Sequence, residues 1–157
     1  MDPLNHFIKN HPRGCKCGCQ RDITSHDLNT PKGEVHTPYH GNIEQQTIKN
    51  PNYRDTLFTG KHSQIIVMSL KPKEQIGNEV HPHVDQFFRI ESGKAKFSID
   101  NGKEKYVEGN GGAVMVPSGH WHNVTNPSPK KPLKLYTIYS PSNHPPGTKQ
   151  KLRPKND

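Results

Sequence analysis

Three cysteines and several histidines are the residues of this chain whose types and spacing could do chemistry. The thiols of Cys15, Cys17 and Cys19 fall within five residues, and His11 lies four positions upstream. Three thiolates and one imidazole are a zinc-type ligand set, although structural zinc sites mostly leave about two to four residues between paired cysteines. Redox or intermolecular disulfide use and a chemically idle stretch are the alternatives, and nothing else in the sequence decides among the three.

A second group of chemically capable residues surrounds His122. Gly111, Pro117, Gly119, His122 and Asn126 follow one another with five, one, two and three residues between them. Glycine turns the chain at the start, and a short apolar strand follows. A tight turn at 117–119 then sends the chain back, so that His122 points inward on the next strand.

This spacing resembles the second motif of the cupin superfamily, and the resemblance extends over roughly residues 53–140. The first motif of that family is a glycine, His-x-His, a glutamate and a closing glycine. With Gly93 as the closing glycine, the glutamate falls on Gln86 and the two histidines on Glu79 and His81, with no deletion. The second register takes His81 and His83 as the pair. Residues 79, 81 and 83 share one face of a continuous strand, so alternation does not separate the registers. We prefer the first.

The resemblance then implies a metal centre formed by Glu79, His81, Gln86 and His122, with His83 as the alternative ligand. Imidazole, carboxylate and amide ligands together suit one divalent transition metal, which would be iron, manganese, nickel or zinc. A neutral amide at position 86 is a weaker ligand than the glutamate of the family, and it makes the bound metal a stronger Lewis acid.

Short β-rich runs separated by turn residues must position these side chains. An Asp-Asn-Gly hairpin is predicted at 100–102, and strands recur about every ten residues with no helical period between them, which indicates an all-β antiparallel barrel. The resemblance makes it a cupin-type barrel, that is, a double-stranded β-helix or jelly roll. The predicted strands are 64–70, 86–91, 94–99, 103–107, 113–116, 120–125 and 133–139.

The two ends of the chain differ from its middle in composition. Residues 1–50 are expected to form an extended or partly disordered arm, residues 51–141 the barrel, and residues 142–157 a basic tail. From Lys130 onward there are seven basic residues and one acidic residue, and the net charge of the chain is +8. A solvated basic tail is the preferred interpretation of this charge, and attraction of an anionic ligand or of nucleic acid is the alternative. The charge supports a nucleic-acid partner only weakly, because no nucleic-acid fold signature accompanies it.

The distribution of apolar residues along the sequence bears on the cellular location of the protein. No apolar run is longer than the four residues at 65–68, far fewer than the roughly 18–20 of a membrane span. The N-terminus shows no signal-peptide pattern. We therefore expect a cytoplasmic protein with no membrane partner.

Fold and metal together do not fix the reaction. The resemblance, which is strongest to small cupins loosely grouped with sugar-phosphate isomerases, implies a homodimer and a metal-dependent enzyme on a small polar substrate, with dioxygenase or isomerase chemistry. Arg89 and one of Tyr136 and Tyr139 are candidate acid–base or anion-binding residues. Because those tyrosines are three residues apart on a strand, only one can point inward. The alternative is a non-enzymatic ligand-binding or structural module.

Overall fold

The computed structural model describes residues 38–155. The described residues all belong to one compact unit. The cysteine cluster and most of the expected N-terminal arm lie outside the described residues, so the predictions made for them stay predictions. No helix in the described part of the chain is long and apolar enough to cross a membrane.

The described residues form one short helix, α1 (Ile43–Lys49), and nine strands. In the strands Asp85–Ser92, Ala95–Ile99 and Leu133–Ser140, buried and more exposed residues largely alternate, as expected of strands with one face on a core. The strands are β1 (Arg54–Thr59), β2 (Gln64–Leu70), β3 (Asp85–Ser92), β4 (Ala95–Ile99), β5 (Glu104–Glu108), β6 (Ala113–Val116), β7 (His122–Thr125), β8 (Leu133–Ser140) and β9 (Lys149–Gln150).

These strands pair antiparallel in two sheets, a larger one in the order β6-β3-β8-β2-β1-β9 and a smaller one in the order β5-β4-β7. Phe88 of β3 and Phe97 of β4 meet between the sheets with ring centroids 5.4 Å apart. Ile66, Leu135 and Val124 are fully buried in the same core. Each such side chain stabilises the fold by about 1.5–3 kcal/mol. The expected all-β, cupin-type antiparallel barrel is confirmed.

The predicted hairpin at 100–102 is also confirmed. A 3-10 turn, Asp100–Gly102, joins β4 to β5 and sets Ile99 opposite Glu104. Asn101 and Gly102 have φ angles of 57° and 89°. Asparagine and glycine tolerate this left-handed region better than other residues do, which explains why the chain reverses here.

The segment expected to be an extended arm contains α1 near its end. The side chain of Asn42 caps this helix by accepting a hydrogen bond from the backbone N–H of Gln45 at 2.9 Å. The helix packs on β2, β3 and β8 of the larger sheet, and Thr47 is fully buried. Residues 43–49 therefore belong to the barrel unit, because tertiary packing stabilises a helix too short to show a clear period.

The segment expected to be a basic tail also contributes to the sheet. Strand β9 pairs with β1, with Arg54 opposite Gln150 and Asp55 opposite Lys149. The Arg54 guanidinium donates to Oε1 of Gln150 at 2.7 Å, and Nζ of Lys149 lies 3.0 Å from the Asp55 carboxylate. A two-residue strand shows no alternation in sequence, so only pairing with β1 reveals it.

Candidate metal centre

The candidate metal centre lies between the two sheets. Gln86 is on β3 of the larger sheet, and His122 begins β7 of the smaller one. Residues 75–79 run antiparallel beside β7, and Glu79 and His122 exchange two backbone hydrogen bonds of 2.9 Å. This pairing places Glu79 directly opposite His122.

The turn predicted at 117–119 brings His122 into position. Gly119 has a φ of 84°, and its backbone N–H donates to the carbonyl of His81 at 2.9 Å. The backbone N–H of Ser118 donates to the Asp85 carboxylate, also at 2.9 Å. The turn before β7 is thereby hydrogen-bonded to the chain on both sides of residues 82–84. The first and second motifs of the sequence are therefore held together by backbone groups as well as by side chains.

Four donor side chains converge at this point. Oε1 of Glu79 lies 3.3 Å from Nε2 of His122 and 3.4 Å from Nε2 of His81. Oε1 of Gln86 lies 2.9 Å from the same nitrogen of His122. One ligand atom each from Glu79, His81 and His122 fall within 4.8 Å of one another, which makes these three residues a group that could hold a metal ion.

Outer contacts fix which atoms face the centre. Nδ1 of His122 lies 3.1 Å from the backbone carbonyl of His120, and this contact orients the ring with Nε2 toward the centre. His120 is itself held by Asp100, with 2.9 Å between Nδ1 and Oδ2. The amide nitrogen of Gln86 donates to the buried hydroxyl of Thr137 at 3.1 Å, which turns Oε1 of Gln86 toward His122.

The centre is largely shielded from water and carries one negative charge. The side chains of His122, His81 and Glu79 are 1%, 13% and 26% exposed. Burial acts to raise the pKa of the Glu79 carboxyl, but the adjacent imidazoles of His122 and His81 outweigh burial and lower that pKa to about 2. The Glu79 carboxylate is therefore ionised at neutral pH.

The donors suit a divalent transition metal. Oε1 of Glu79 and Nε2 of His81 are buried and lie 3.4 Å apart, and neither makes a hydrogen bond of normal geometry within residues 38–155. Buried polar atoms are normally satisfied, and unsatisfied ones suggest an ion or a water. Two imidazole nitrogens, a carboxylate and an amide oxygen are the mixed nitrogen and oxygen set that iron, manganese, nickel and zinc accept.

His83, the alternative ligand, does not reach this group. Residues 82 and 83 form a turn, and His83 is exposed. The expectation that residues 79, 81 and 83 share one strand face is therefore wrong at its last position. The pairing of this segment with β7 stops at Glu79, opposite His122. Pro82 follows, and its fixed φ and missing N–H favour a turn. Of the two residues that could complete the site, the structure brings Glu79 to His122.

The two candidate tyrosines lie on opposite faces of β8, as alternation predicted. Tyr139 is buried inside the barrel, with its ring 5.8 Å from that of His81. Tyr136 lies on the outer face, opposite Arg89 in the neighbouring strand. Arg89 pairs there with Glu91, at 3.1 Å from Nε to Oε1. Arg89 and Tyr136 therefore do not face the centre, whereas Tyr139 does.

Sequence reasoning did not identify Thr137 and His144 as parts of this site. Thr137 supports Gln86, and Nε2 of His144 lies 3.3 Å from the hydroxyl of Tyr139. Alternation could have found Thr137, because it lies two residues from Tyr139 and shares its face. His144 follows the last barrel strand, and no local pattern in that irregular segment predicts its contact.

The family model for the cupin domain matches residues 66–139, which include Glu79, His81, Gln86 and His122. The uncharacterized protein L612 of Acanthamoeba polyphaga mimivirus is 46% identical over 115 residues, which are 73% of this chain and 72% of that protein. The chain therefore belongs to the cupin family.

Solved structures agree with this assignment. BH2720 from Bacillus halodurans is 41% identical, with a TM-score of 0.71, and the match covers 74% of this chain and 90% of that one. A Klebsiella pneumoniae protein with a double-stranded β-helix domain is 17% identical, with a TM-score of 0.55, and the match covers 78% of this chain and 98% of that one. The second similarity concerns the fold alone.

Proposed function

We propose that Glu79, His81, Gln86 and His122 bind one divalent transition metal, namely iron, manganese, nickel or zinc, and that the protein is an enzyme acting there on a small, polar, anionic substrate. The observation that carries the proposal is the pair of buried atoms without hydrogen-bond partners among the described residues, Oε1 of Glu79 and Nε2 of His81, which lie beside Nε2 of His122. A cation among these atoms would satisfy them together.

Such a metal, when bound, supplies Lewis-acid or redox chemistry to a coordinated substrate. The residues of the chain have separate tasks. Glu79 contributes the one negative charge, and Thr137 orients the amide of Gln86. Phe88 packs its ring edge-on at 5.9 Å from the imidazole of His122 and helps to exclude water on that side. Tyr139 brings a hydroxyl group into the same interior, where it could bind or protonate a substrate oxygen.

Two reaction types fit this arrangement. A dioxygenase would use the two imidazoles and one carboxylate in the manner of the two-histidine, one-carboxylate iron sites. An isomerase of the sugar-phosphate type would use the metal to polarise a carbonyl group while a side chain moves a proton beside it. The alternative to both is a non-enzymatic cupin that binds a ligand or a partner, and the neutral amide of Gln86 in place of a glutamate motivates it.

Metal content tests the site. We expect about one equivalent of transition metal per chain by mass spectrometry, and His122→Ala should lose most of it, because removing one of four ligands usually costs orders of magnitude in affinity. His62→Ala, which removes an exposed histidine in the turn between β1 and β2, is the matched control. Full occupancy in His122→Ala would contradict the assignment.

Activity assays on the metal-loaded protein separate the candidate functions. Oxygen consumption with small hydroxy and keto acids would support the oxygenase, and interconversion of sugar phosphates would support the isomerase. A protein that retains its metal and shows neither activity, while binding small anions, would favour the non-enzymatic module.

A further inference from the structure

Residues 141–148, here called the strap, follow β8 and are fastened to the barrel by Gln64. This side chain is fully buried at the start of β2. Its amide nitrogen donates to Thr59 Oγ1 at 2.9 Å and to the carbonyl of His144 at 2.8 Å. Its carbonyl oxygen accepts from the backbone N–H groups of His144 at 3.0 Å and Asn143 at 3.3 Å.

A buried amide is costly unless its hydrogen-bonding capacity is used. Three of the four bonds that Gln64 makes go to the strap, and two of these go to His144. The hydroxyl of Ser142 adds a bond to the carbonyl of Gly60 at 2.9 Å. The backbone at His144 is therefore held in one place by a side chain that points into the barrel.

This attachment places the imidazole of His144 against Tyr139. Nε2 of His144 is 3.3 Å from the Tyr139 hydroxyl, and the two rings meet edge-on with centroids 5.1 Å apart. Tyr139 lies opposite Gln86 in the pairing of β3 with β8, and its ring meets that of His81 at 5.8 Å and 77°. A continuous series of contacts thus runs from Gln64 through the strap to His81.

Of the ligand residues, His81 has the side chain with the least support, although its backbone carbonyl accepts the hydrogen bond from Gly119. His122 is fixed by the carbonyl of His120, and Glu79 is fixed by backbone pairing with His122. His81 comes after that pairing and before the turn at 82–83, and its Nε2 has no hydrogen-bond partner among the described residues. Its ring contacts are with His122 and Tyr139. Metal-binding imidazoles depend on outer contacts for their orientation.

We propose that His144 is a positioning residue of the metal centre, which holds Tyr139 in place so that Tyr139 fixes the imidazole plane of His81. The inference rests on the proposed metal site and deepens it, because it assigns a role in metal binding to the strap. Gln64 acts one step further out by holding the backbone of His144.

The test compares His144→Ala with His144→Gln in the full chain. Competition with a chromophoric chelator should show zinc affinity lowered by about 10-fold in His144→Ala, within the 10–100-fold typical of such supporting residues. The visible spectrum of the cobalt-loaded protein should change as well, because it reports the arrangement of the ligands. The glutamine side chain can place an amide nitrogen near the position of Nε2, so His144→Gln should restore most of the affinity and the spectrum.

His40→Ala, which removes an exposed histidine ahead of α1, is the matched control and should behave as wild type. Tyr139→Phe is a second route to the same question, because it keeps the ring against His81 but removes the hydroxyl that contacts His144. We expect it to lower affinity by about 2–10-fold, as the loss of one hydrogen bond would.

Each outcome has a distinct meaning. Wild-type zinc affinity and an unchanged cobalt spectrum in both His144→Ala and Tyr139→Phe would overturn the positioning role while leaving the metal site intact. A loss of affinity that His144→Gln does not reverse, with a matching fall in the melting temperature of the metal-free protein, would overturn it in favour of general destabilisation. A wild-type protein that binds neither zinc nor cobalt would refute the proposed function, and the positioning role with it.

Discussion

Replacing Gln86 by glutamate, the residue that the cupin motif carries at this position, perturbs the centre by one charge and almost no volume. The Oε1 atoms of Gln86 and Glu79 lie 2.9 and 3.3 Å from the same nitrogen of His122, so they are at most 6.2 Å apart, the sum of these distances. The substitution would therefore place two carboxylates side by side in a shielded site.

The magnitude follows from this separation. Two unit charges about 6 Å apart repel by roughly 3 kcal/mol at an effective dielectric constant of about 20. In the metal-free protein that repulsion opposes folding, and for a domain of about 120 residues it should lower the melting temperature by roughly 10 °C. A bound dication relieves the repulsion, so metal affinity should rise by at least about 100-fold, since each 1.4 kcal/mol is tenfold.

The assay has two arms, both at about pH 8, above the reference pKa of free imidazole. Thermal unfolding in excess chelator should show Gln86→Glu well below wild type, and added zinc should reverse the order. Chelator competition then measures the gain in affinity. Gln75→Glu adds the same charge at an exposed residue outside the centre and should change neither quantity by much. If Gln86→Glu is as stable as wild type without metal and binds zinc no more tightly, the carbonyl of Gln86 does not face the ion.

Two more predictions concern the ligand register and assembly. Glu79→Gln removes the only carboxylate of the ligand set and should lower metal affinity by at least about 100-fold, whereas His83→Ala should leave metal content unchanged; the opposite result by mass spectrometry would assign the ligand role to His83. The protein is also expected to be a homodimer through the outer face of the larger sheet, where Met115, 60% exposed, lies opposite Phe87. Met115→Glu should shift the mass in light scattering toward the monomer, and a monomeric wild type at micromolar concentration would contradict the proposal.

The strands could be predicted from sequence where an apolar run is closely followed by a residue that ends it. The bounds predicted for β2 and β6 are those observed, because Pro72 and Pro117 follow these apolar runs closely. Strand β7 begins two residues later than predicted, since its pairing with β4 begins at His122, opposite Ile99. Strand β9 exists only through its pairing with β1, and pairing across 94 residues leaves no local signal.

The candidate site likewise has residues that local spacing predicts and residues whose placement depends on contacts far away in the sequence. The spacing of the two motifs predicted that Gln86 and His122 lie on facing strands with His81 beside them. This was possible because the separation of two residues along a strand in the sequence also sets their separation in the fold. Choosing between Glu79 and His83 required knowing where the strand ends, and the turn at 82–83 depends on contacts with the distant 117–119 turn. The contact of His144 with Tyr139 likewise depends on Gln64, which is 80 residues away.

The charge of the ligand set bears on the substrate in the proposed function. Considered alone, the amide of Gln86 suggests a centre with one negative charge fewer than the family motif provides, and hence a stronger Lewis acid. However, in the register that the geometry favours, Glu79 occupies the position of a family histidine. The carboxylate of the ligand set then lies on the segment beside β7 instead of on β3, and the total charge of the ligand set equals that of the family motif. A dication held by one carboxylate keeps about one net positive charge, in a chain whose own net charge is +8. Both favour an anionic ligand. Gln86→Glu should therefore bind metal more tightly and an anionic ligand less tightly, because a second carboxylate neutralises the ion that would attract the anion.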